Sequence, residues 1–494
     1  MTGRRFSNLD TILLRMDNPV DPMMVTAVLV LGTPLGLEQV KATVETRLLR
    51  IDRFRQRVVP SRLPWRTPHW EDDPDLDLGY HVQQVTLPPP GDHAALQQIV
   101  GELAGAPLDM ARPPWQVHLV ETYGPGCALI CRTHHSLADG VAMIHVLLSL
   151  ADTAAGDSRS STEQAHSQRG PAVIRRAQAR TGRRRARTGP WPGRRLLRRG
   201  LRTLGHLRRG PELLRLGRDA AAAVGDIVLT PPDTATALRG VPGVAKRIAW
   251  SGPVPLAEIK TIGRRLGGTV NDVLLTALAG AVRRYQQLRH DDLPADVTLR
   301  ALMPVNLRSA GAEAELGNRF SGVFLHLPVE IADPRERLAE LKRRMDGLKA
   351  SLQAALVLAG LEMVSRGPAT ALTLALSYLT SKATLLVTNV KGPQERLTLA
   401  GAPLEEIMFW IPRYGGIGVG ISIVSYAGQV RLGVLSDRDI VPDPEALIAG
   451  FHDEFEALLA LALATKQPPS VKELSAMLDD ALATLDELYP GNTE

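Results

Sequence analysis

Residues 128–148 read ALICRTHHSLADGVAMIHVLL and contain two adjacent histidines between two apolar runs. The run before the histidines predicts a buried strand, and the run from Val141 to Leu148 predicts an apolar helix with Asp139 near its N-cap. Side chains at a junction between a strand and a helix are held rigidly and can still reach into a cleft. An imidazole at this junction is therefore a candidate general base.

The two imidazoles, His134 and His135, also have structural interpretations. Successive side chains of a strand point to opposite faces, so at most one ring is expected to face a given cleft. A histidine at a strand end is more often a hydrogen-bonded structural residue than a catalyst. Asp139 could orient a ring, or could cap the helix and bind a neighbouring arginine. A metal site made of these three residues and His145 matches no zinc spacing, so we predict no metal.

The segment HHSLADG resembles the HHxxxDG signature of the CoA-dependent acyltransferase superfamily. Further segments resemble blocks of one branch, the bacterial wax ester synthase/diacylglycerol acyltransferase family. These segments are Asn8-Leu9-Asp10 with Pro22-Met23-Met24 at the N-terminus, Pro107-Leu108-Asp109 with Arg112-Pro113-Pro114-Trp115, Asn271-Asp272-Val273-Leu274-Leu275, and Thr388-Asn389-Val390-Lys391-Gly392-Pro393.

Two residues depart from the family pattern. Pro114 stands where the family has Leu, and it restricts the backbone of the loop around it. Lys391 stands where the family has Pro and adds a mobile cation beside the expected acyl-CoA wall. Neither change removes the proposed base, but the second leaves the acyl preference open.

The chain length predicts two domains, because 494 residues exceed what one hydrophobic core usually organises. The composition allows ordinary globular cores, with 44% hydrophobic and only 4% aromatic residues. The resemblance implies an α/β fold of two chloramphenicol acetyltransferase-like sandwich domains that face each other across a central tunnel. We predict an N-terminal domain at residues 1–155, an Arg-rich insertion at 156–240 and a C-terminal domain at 241–494.

Periodicity supports mixed strands and helices in both parts of the chain. The predicted strands are 25–31, 81–87, 128–133, 245–250, 297–305, 322–329, 383–389, 418–426 and 429–435. The predicted helices are 37–51, 93–105, 141–148, 256–266, 271–289, 333–353, 354–380 and 443–465. Such mixing is typical of α/β sandwiches.

The sequence predicts neither a membrane span nor a signal peptide, since no run of 18 uncharged apolar residues occurs and the N-terminus has no apolar signal region. We therefore expect a cytoplasmic protein, peripheral at the inner membrane or at a lipid-body surface. Cys127 and Cys131 lie four apart on one predicted strand, where a disulfide is difficult to close. They are interpreted as small buried hydrophobes.

The positive charge is concentrated in residues 169–218, which contain 17 Arg and one acidic residue, Glu212. This segment carries +16, whereas the whole chain carries +6. Nucleic acid would suit the charge, but no binding motif is present, so we predict no nucleic acid. A solvated linker is one interpretation. The other is attachment to an anionic membrane or lipid-droplet surface, because leucines accompany the arginines from Leu196 to Leu214 as in a basic amphipathic helix.

The resemblance implies that His135 is the general base and that acyl-CoA is a co-substrate, with no further cofactor. A neutral imidazole takes the proton of an alcohol while the hydroxyl attacks the thioester carbonyl. The thioester is already activated, so no protein nucleophile is required. The sequence agrees, because it contains no G-x-S-x-G elbow and no cysteine placed as a nucleophile.

Other site residues are predicted with their alternatives. His134 positions its neighbour, Asp139 orients the loop by pairing with an arginine, and Gly140 permits close helix packing. Asn271 is a candidate polar group near the developing oxyanion, or else the N-cap of its helix. The segment with Asn389, Gly392 and Pro393 resembles a family turn that lines the acyl-CoA side of the tunnel. The alternative is an ordinary β-turn with the glycine at positive φ. Ser425-Tyr426 and Asp437 are interpreted as scaffold.

The predicted reaction moves a long acyl group from acyl-CoA to a lipid hydroxyl, giving triacylglycerol from diacylglycerol or wax ester from a fatty alcohol. Two alternatives stay open. One is an enzyme that acylates a polyketide or glycolipid alcohol, or that uses a carrier-protein thioester in a condensation-like reaction. The other is a lipid-particle protein with a decayed acyltransferase fold.

Overall fold

The structure is a computed structural model that describes residues 4–61, 67–138, 140–153, 230–289, 297, 299–306, 320–349, 357 and 369–465. Its strands are β1 Arg4–Arg5, β2 Met24–Leu31, β3 Gln56–Val59, β4 His69–Asp72, β5 Val82–Gln84, β6 Trp115–Tyr123, β7 Gly126–His134, β8 Asp152–Thr153, β9 Lys246–Trp250, β10 Val254–Pro255, β11 Leu299–Asn306, β12 Phe320–Leu327, β13 Leu385–Lys391, β14 Leu397–Leu399, β15 Ala402–Trp410, β16 Val419–Tyr426 and β17 Gln429–Asp437. Its α-helices are α1 Asn8–Met16, α2 Leu37–Arg47, α3 Leu78–His81, α4 His93–Gly105, α5 Gly140–Ser149, α6 Leu256–Leu266, α7 Val270–Leu288, α8 Pro334–Lys349, α9 Ala369–Thr380 and α10 Pro444–Ala464.

Two seven-stranded sheets form the centres of two sheet-rich domains. The first sheet has the order β5-β6-β7-β2-β15-β14-β8. The second has the order β10-β17-β16-β13-β11-β12, and β9 pairs with β17 beside this path. The predicted α/β architecture with two sheet-rich domains is confirmed, whereas a central tunnel stays a prediction.

The first sheet includes strands from both ends of the chain. β15 pairs with β2 in antiparallel register, with Trp410 opposite Thr26. β2 pairs in turn with β7, and Met24 lies opposite His134. The strands at 397–410 therefore belong to the first sheet although they follow residue 241. The predicted domain boundaries at residues 155 and 241 stay a prediction. The structure adds that β14 and β15, which follow residue 241, pair within the first sheet.

The second domain is organised by α7, a long helix with an apolar face buried against its sheet and against α10. Its first turn is fixed by a capping box in which Thr269 accepts from the backbone of Asp272 while the Asp272 side chain accepts from Thr269. The domains meet where β15 packs against β16 and β17. Trp410 lies there 5.6 Å from Trp250, ring centroid to ring centroid.

The secondary structure departs from prediction in several places. The predicted strand at 81–87 is wrong over its first residue, because Asp77 caps the helical turn α3, and the strand itself covers only Val82–Gln84. The elements α1, β6 and β15 are not among those predicted from the sequence. In β15 the register shifts between Leu404 and Glu406, so the alternation that marks a strand is broken. Of the predicted helix at 354–380, the described residues confirm the part at Ala369–Thr380.

Cys127 and Cys131 are both buried and free, as expected of small apolar side chains. Burial raises the pKa of the Cys131 thiol to about 12, so this sulfur stays protonated and unreactive at neutral pH. Among the helices that the structure describes, none combines the length and the apolar character that crossing a bilayer would require.

Candidate active site

His135 lies at the junction that the sequence predicts, directly after β7 and before α5. Its backbone N–H donates to the carbonyl of Met23 across 2.7 Å, which ties the residue to the entrance of β2. The residue is 6% exposed, yet it lines a cavity of about 290 Å³. The ring is therefore shielded from bulk water and can meet a ligand inside the protein.

His134 has different surroundings, since it is 1% exposed and does not line this cavity. Its Nδ1 accepts from the backbone N–H of Ser136 at 3.2 Å and lies 2.8 Å from the Ser136 Oγ. This bond leaves the ring proton of the neutral form on Nε2, which lies 3.8 Å from Oδ1 of Asp17. Burial, with the neighbouring His135 as a second cause, lowers the pKa of His134 to about 3. His134 therefore stays neutral at physiological pH and supports the loop.

The loop before β6 also supports His134. The carbonyl of Pro114, one of the two departures from the family pattern, accepts the backbone N–H of His134 across 2.9 Å. Trp115 is fully buried beside it and donates its indole N–H to the carbonyl of Phe54. The proline at 114 is thus compatible with the strand end that carries the two histidines.

The cavity is lined almost wholly by apolar side chains from both ends of the chain. The N-terminal part contributes Leu9, Ile12, Leu13, Met16, Met23 and His135. The C-terminal part contributes apolar side chains that include Leu302, Phe324, Leu376, Leu379, Leu386, Ile411 and Ile417. Polar residues are few along the wall. In addition to His135 they are Ser321, Thr380, Thr388, Asn389 and Tyr414. A wall of this composition suits an alkyl chain with one polar reacting end.

Asn271 and Asn389 come together although 118 residues separate them. Nδ2 of Asn389 donates to Oδ1 of Asn271 across 2.8 Å, and Asn389 lines the cavity. The alternative that Asn271 caps its helix is wrong, because the N-cap is Thr269. Asn271 lies in the first turn of α7 with its amide turned to the second asparagine.

Gly392 and Pro393 lie close to Asn389 in sequence but are not among the residues that line the cavity. The N–H of Gly392 donates to the carbonyl of Ser425 across 2.8 Å, and a Cβ at 392 would lie 2.4 Å from that oxygen. The alternative of an ordinary β-turn with positive φ at Gly392 is wrong, since the φ of Gly392 is not among the positive values. The glycine is required for close approach of two backbones. The carbonyl of Pro393 accepts from Ala427 at 3.0 Å.

Asp139 lies outside the described residues, so its predicted pairing with an arginine stays a prediction. Gly140 is the first residue of α5, in agreement with a helix that begins after Asp139. Tyr426 behaves as scaffold, because its hydroxyl donates to the carbonyl of Leu404 and accepts from the N–H of Leu397. Met23 is not among the predicted site residues, because it binds His135 through its backbone carbonyl and such a contact leaves no side-chain signal in the sequence.

Two family models match the chain. The model described as the wax ester synthase/diacylglycerol acyltransferase catalytic domain matches residues 6–274, and the model of the WS/DGAT C-terminal domain matches residues 316–459. The Mycobacterium tuberculosis protein named probable diacylglycerol O-acyltransferase tgs1 is 28% identical over 426 residues, covering 85% of this chain and 88% of that protein.

Solved structures show a similar fold. A wax ester synthase/diacylglycerol acyltransferase from Marinobacter aquaeolei VT8 has a TM-score of 0.65 at 20% identity, covering 93% of this chain and 99% of that one. The first condensation domain of the calcium-dependent antibiotic synthetase has a TM-score of 0.58 at 14% identity, covering 94% and 97%.

Proposed function

This chain belongs to the wax ester synthase/diacylglycerol acyltransferase family, and from that premise we propose that it transfers a long acyl group from acyl-CoA to a lipid hydroxyl. The enzyme class itself, an acyltransferase of this type, follows from the family. The acceptor is diacylglycerol, a fatty alcohol or both. The observation that carries the proposal is an apolar cavity with the imidazole of His135 in its wall.

In the proposed reaction His135 is the general base. Its neutral imidazole takes the proton of the acceptor hydroxyl while the oxygen bonds to the thioester carbonyl carbon. The carbon–sulfur bond then breaks, and the imidazolium returns the proton to the departing CoA thiolate. Atoms and charges balance without a covalent enzyme intermediate.

The site's composition supports direct transfer. The apolar wall excludes water, which would otherwise compete with the alcohol for the thioester. Asn389, held by Asn271 at the cavity wall, is the proposed donor to the substrate carbonyl or its oxyanion. His134, Asp139 and Gly140 are proposed to hold the loop, and Gly392 and Pro393 to hold the turn behind Asn389.

The experiment supplies labelled palmitoyl-CoA with diacylglycerol, with hexadecanol, or with neither. The unsubstituted protein is expected to form ester with at least one acceptor. His135→Ala is expected to lose roughly 10²- to 10⁴-fold in rate, the usual contribution of a general base. His452→Ala, which alters a histidine of α10 outside the cavity wall, is the matched control and should keep its activity.

Equal rates for His135→Ala and the unsubstituted protein would contradict the mechanism. A Ser, Cys or Lys acyl-enzyme trapped by mass spectrometry would contradict direct transfer. Ester formed with only one of the two acceptors would name the reaction.

We further propose that residues 169–218, which lie outside the described residues, attach the enzyme to an anionic lipid surface. Their +16 charge supports this, because each arginine near such a surface contributes about 1 kcal/mol. A chain that lacks 169–218 is expected to sediment less with phosphatidylserine vesicles than the full chain, with neutral vesicles as the control. Equal sedimentation of both chains with anionic vesicles would contradict the proposal.

A further inference from the structure

Arg413 is a buried cation at the place where the two domains meet. It is 2% exposed and lies just after β15, which belongs to the first sheet. Its Nη2 donates to Oδ2 of Asp437, at the end of β17 in the second sheet, across 2.7 Å. Its Nη1 lies 3.3 Å from Oδ1 of Asp21, in the loop between α1 and β2. One guanidinium therefore binds a carboxylate of the second sheet and a carboxylate that lies 392 residues before Arg413 in the chain.

The positive charge of Arg413 belongs to a cluster of buried side chains of opposite charge. Asp437 is fully buried and also accepts from Nζ of Lys246 across 2.9 Å. Asp21 is 5% exposed and accepts from the backbone N–H of Gly415 across 3.1 Å. Two carboxylates thus face two cations, and removing one member would leave a buried charge uncompensated.

The Asp21 end of this network leads directly to the proposed base. Two residues after Asp21, the carbonyl of Met23 accepts the backbone N–H of His135. The N–H of Met23 is itself held by Oδ1 of Asp17 across 2.7 Å. The loop at 17–23 is therefore fixed to Arg413 at one position and to the catalytic histidine at another.

The other neighbours of Arg413 are walls of the cavity. Pro412 and Tyr414, on either side of it in sequence, both line the cavity, as does Met23. Nη1 of Arg413 also donates to the carbonyl of Ile417, a further lining residue, across 3.1 Å. The same side chain thus contacts both the loop that supports His135 and a second segment that lines the cavity.

We propose that Arg413 is a positioning residue for acyl transfer: by clamping Asp21 to Asp437 it holds the 17–23 loop, and through the Met23 carbonyl it sets the position of His135 in the cavity. This inference rests on the proposed function of His135. A displacement of about 1 Å at a reacting group can cost about 10²-fold in rate, so a loosened clamp lowers kcat more than it weakens substrate binding.

The test uses Asp21→Asn in the full-length protein, a change that keeps the size of the side chain and an acceptor for Gly415 but removes the charge. We expect kcat to fall roughly 10- to 100-fold with a change in KM of less than about 3-fold. Arg413→Lys, which keeps the charge but cannot bridge both carboxylates, is the second variant and should show the same pattern.

The matched control is Glu454→Gln, which breaks another buried ion pair, with Arg337, among the helices of the second domain. None of its members lines the cavity. Its Tm should fall by an amount similar to that of Asp21→Asn while kcat stays at the unsubstituted value. A clamp that is merely structural would give both variants the same result.

A double substitution separates this inference from the proposed function. If Arg413 acts through His135, adding Asp21→Asn to His135→Ala causes no further loss of rate. The inference alone would be overturned if the rate losses of Asp21→Asn and His135→Ala multiplied in the double variant. It would also be overturned if Asp21→Asn and Arg413→Lys both kept full kcat while His135→Ala was inactive. Full activity of His135→Ala would overturn the proposed role of His135 as the general base.

Discussion

His134 and His135 are neighbours in the chain, yet only one of them meets the cavity. His134 is buried with Nδ1 engaged by Ser136, and desolvation keeps its pKa at about 3. His135 donates its backbone N–H to the carbonyl of Met23 and lines the cavity. The end of the strand accounts for this difference, because His134 is the last residue of β7 whereas His135 begins the turn.

The asparagine pair yields a prediction at the same scale. Asn271→Ala and Asn389→Ala should each lower kcat/KM by roughly 2- to 10-fold, the value of one hydrogen bond, because each amide orients the other. The double variant should lose no more than the worse single variant, measured as a double-mutant cycle of kcat/KM.

The control for this pair is Gln84→Ala, which removes an exposed amide bonded to Glu121 away from the cavity. Its kcat/KM should equal that of the unsubstituted enzyme. Losses that multiply in the double asparagine variant would show that the two amides act independently.

Helix α1 forms a wall of the cavity through the regular spacing of its side chains. Leu9, Ile12, Leu13 and Met16 recur at helical spacing and all line the cavity. Ile12 packs with Leu376 of α9 in a small cluster separate from the two main cores. A capping box between Ser7 and Asp10 fixes where the helix begins. This wall is therefore positioned by its own cap and by its contact with α9, outside the two main cores.

The size of the Ile12 side chain is expected to limit the length of the bound chain. Ile12→Ala should enlarge the cavity and shift the preference among acyl-CoAs from C12 to C20, or among alcohols of the same lengths, towards longer chains. The free energy of unfolding should also fall by roughly 2 kcal/mol or more, as for other large-to-small changes. Competition assays with mixed chain lengths measure the shift.

Ile144→Ala is the control, because Ile144 is also buried but lines a different, small apolar space between α5 and the first sheet. It should lose stability without changing the chain-length profile. If neither Ile12→Ala nor Ile144→Ala changes the chain-length profile, α1 does not limit the length of the bound chain.

Across the whole molecule, buried histidines make stability depend on pH. Burial, with Arg132 as a second cause, lowers the pKa of His118 to about 4. An unfolded histidine titrates near 6.5, so between these values the unfolded chain holds a proton that the folded protein does not. The stabilisation is complete above about pH 6.5 and is lost as the pH falls towards 4, at about 1.4 kcal/mol per pH unit for each such histidine.

His118→Gln tests this dependence by removing one titrating group. Between pH 6.5 and pH 5 the unsubstituted protein should lose about 2 kcal/mol more unfolding free energy than the variant. Urea unfolding at both pH values measures the difference. Equal losses in the two proteins would show that His118 does not contribute.

The elements near the histidines could be predicted because their signals are local. The apolar run of β7, the start of α5 and the strand predicted at 25–31 against the observed Met24–Leu31 all depend on residues a few positions apart. The family motifs around His135 likewise indicate the acyltransferase class from the sequence alone. Such patterns depend on backbone periodicity and capping, which neighbouring residues set.

The long-range pairings could not be read from those patterns. The bond between Asn271 and Asn389, the crossing of β15 into the first sheet and the clamp of Arg413 on Asp21 join residues 118 to 392 positions apart. Sequence periodicity does not predict which distant polar groups will contact each other, because these contacts depend on how the two sheets pack. Once buried, each polar group needs a hydrogen-bond partner. The proposed base is thus identified from the local sequence, whereas the cavity that His135 lines and the contacts that hold its loop form only when the two domains pack together.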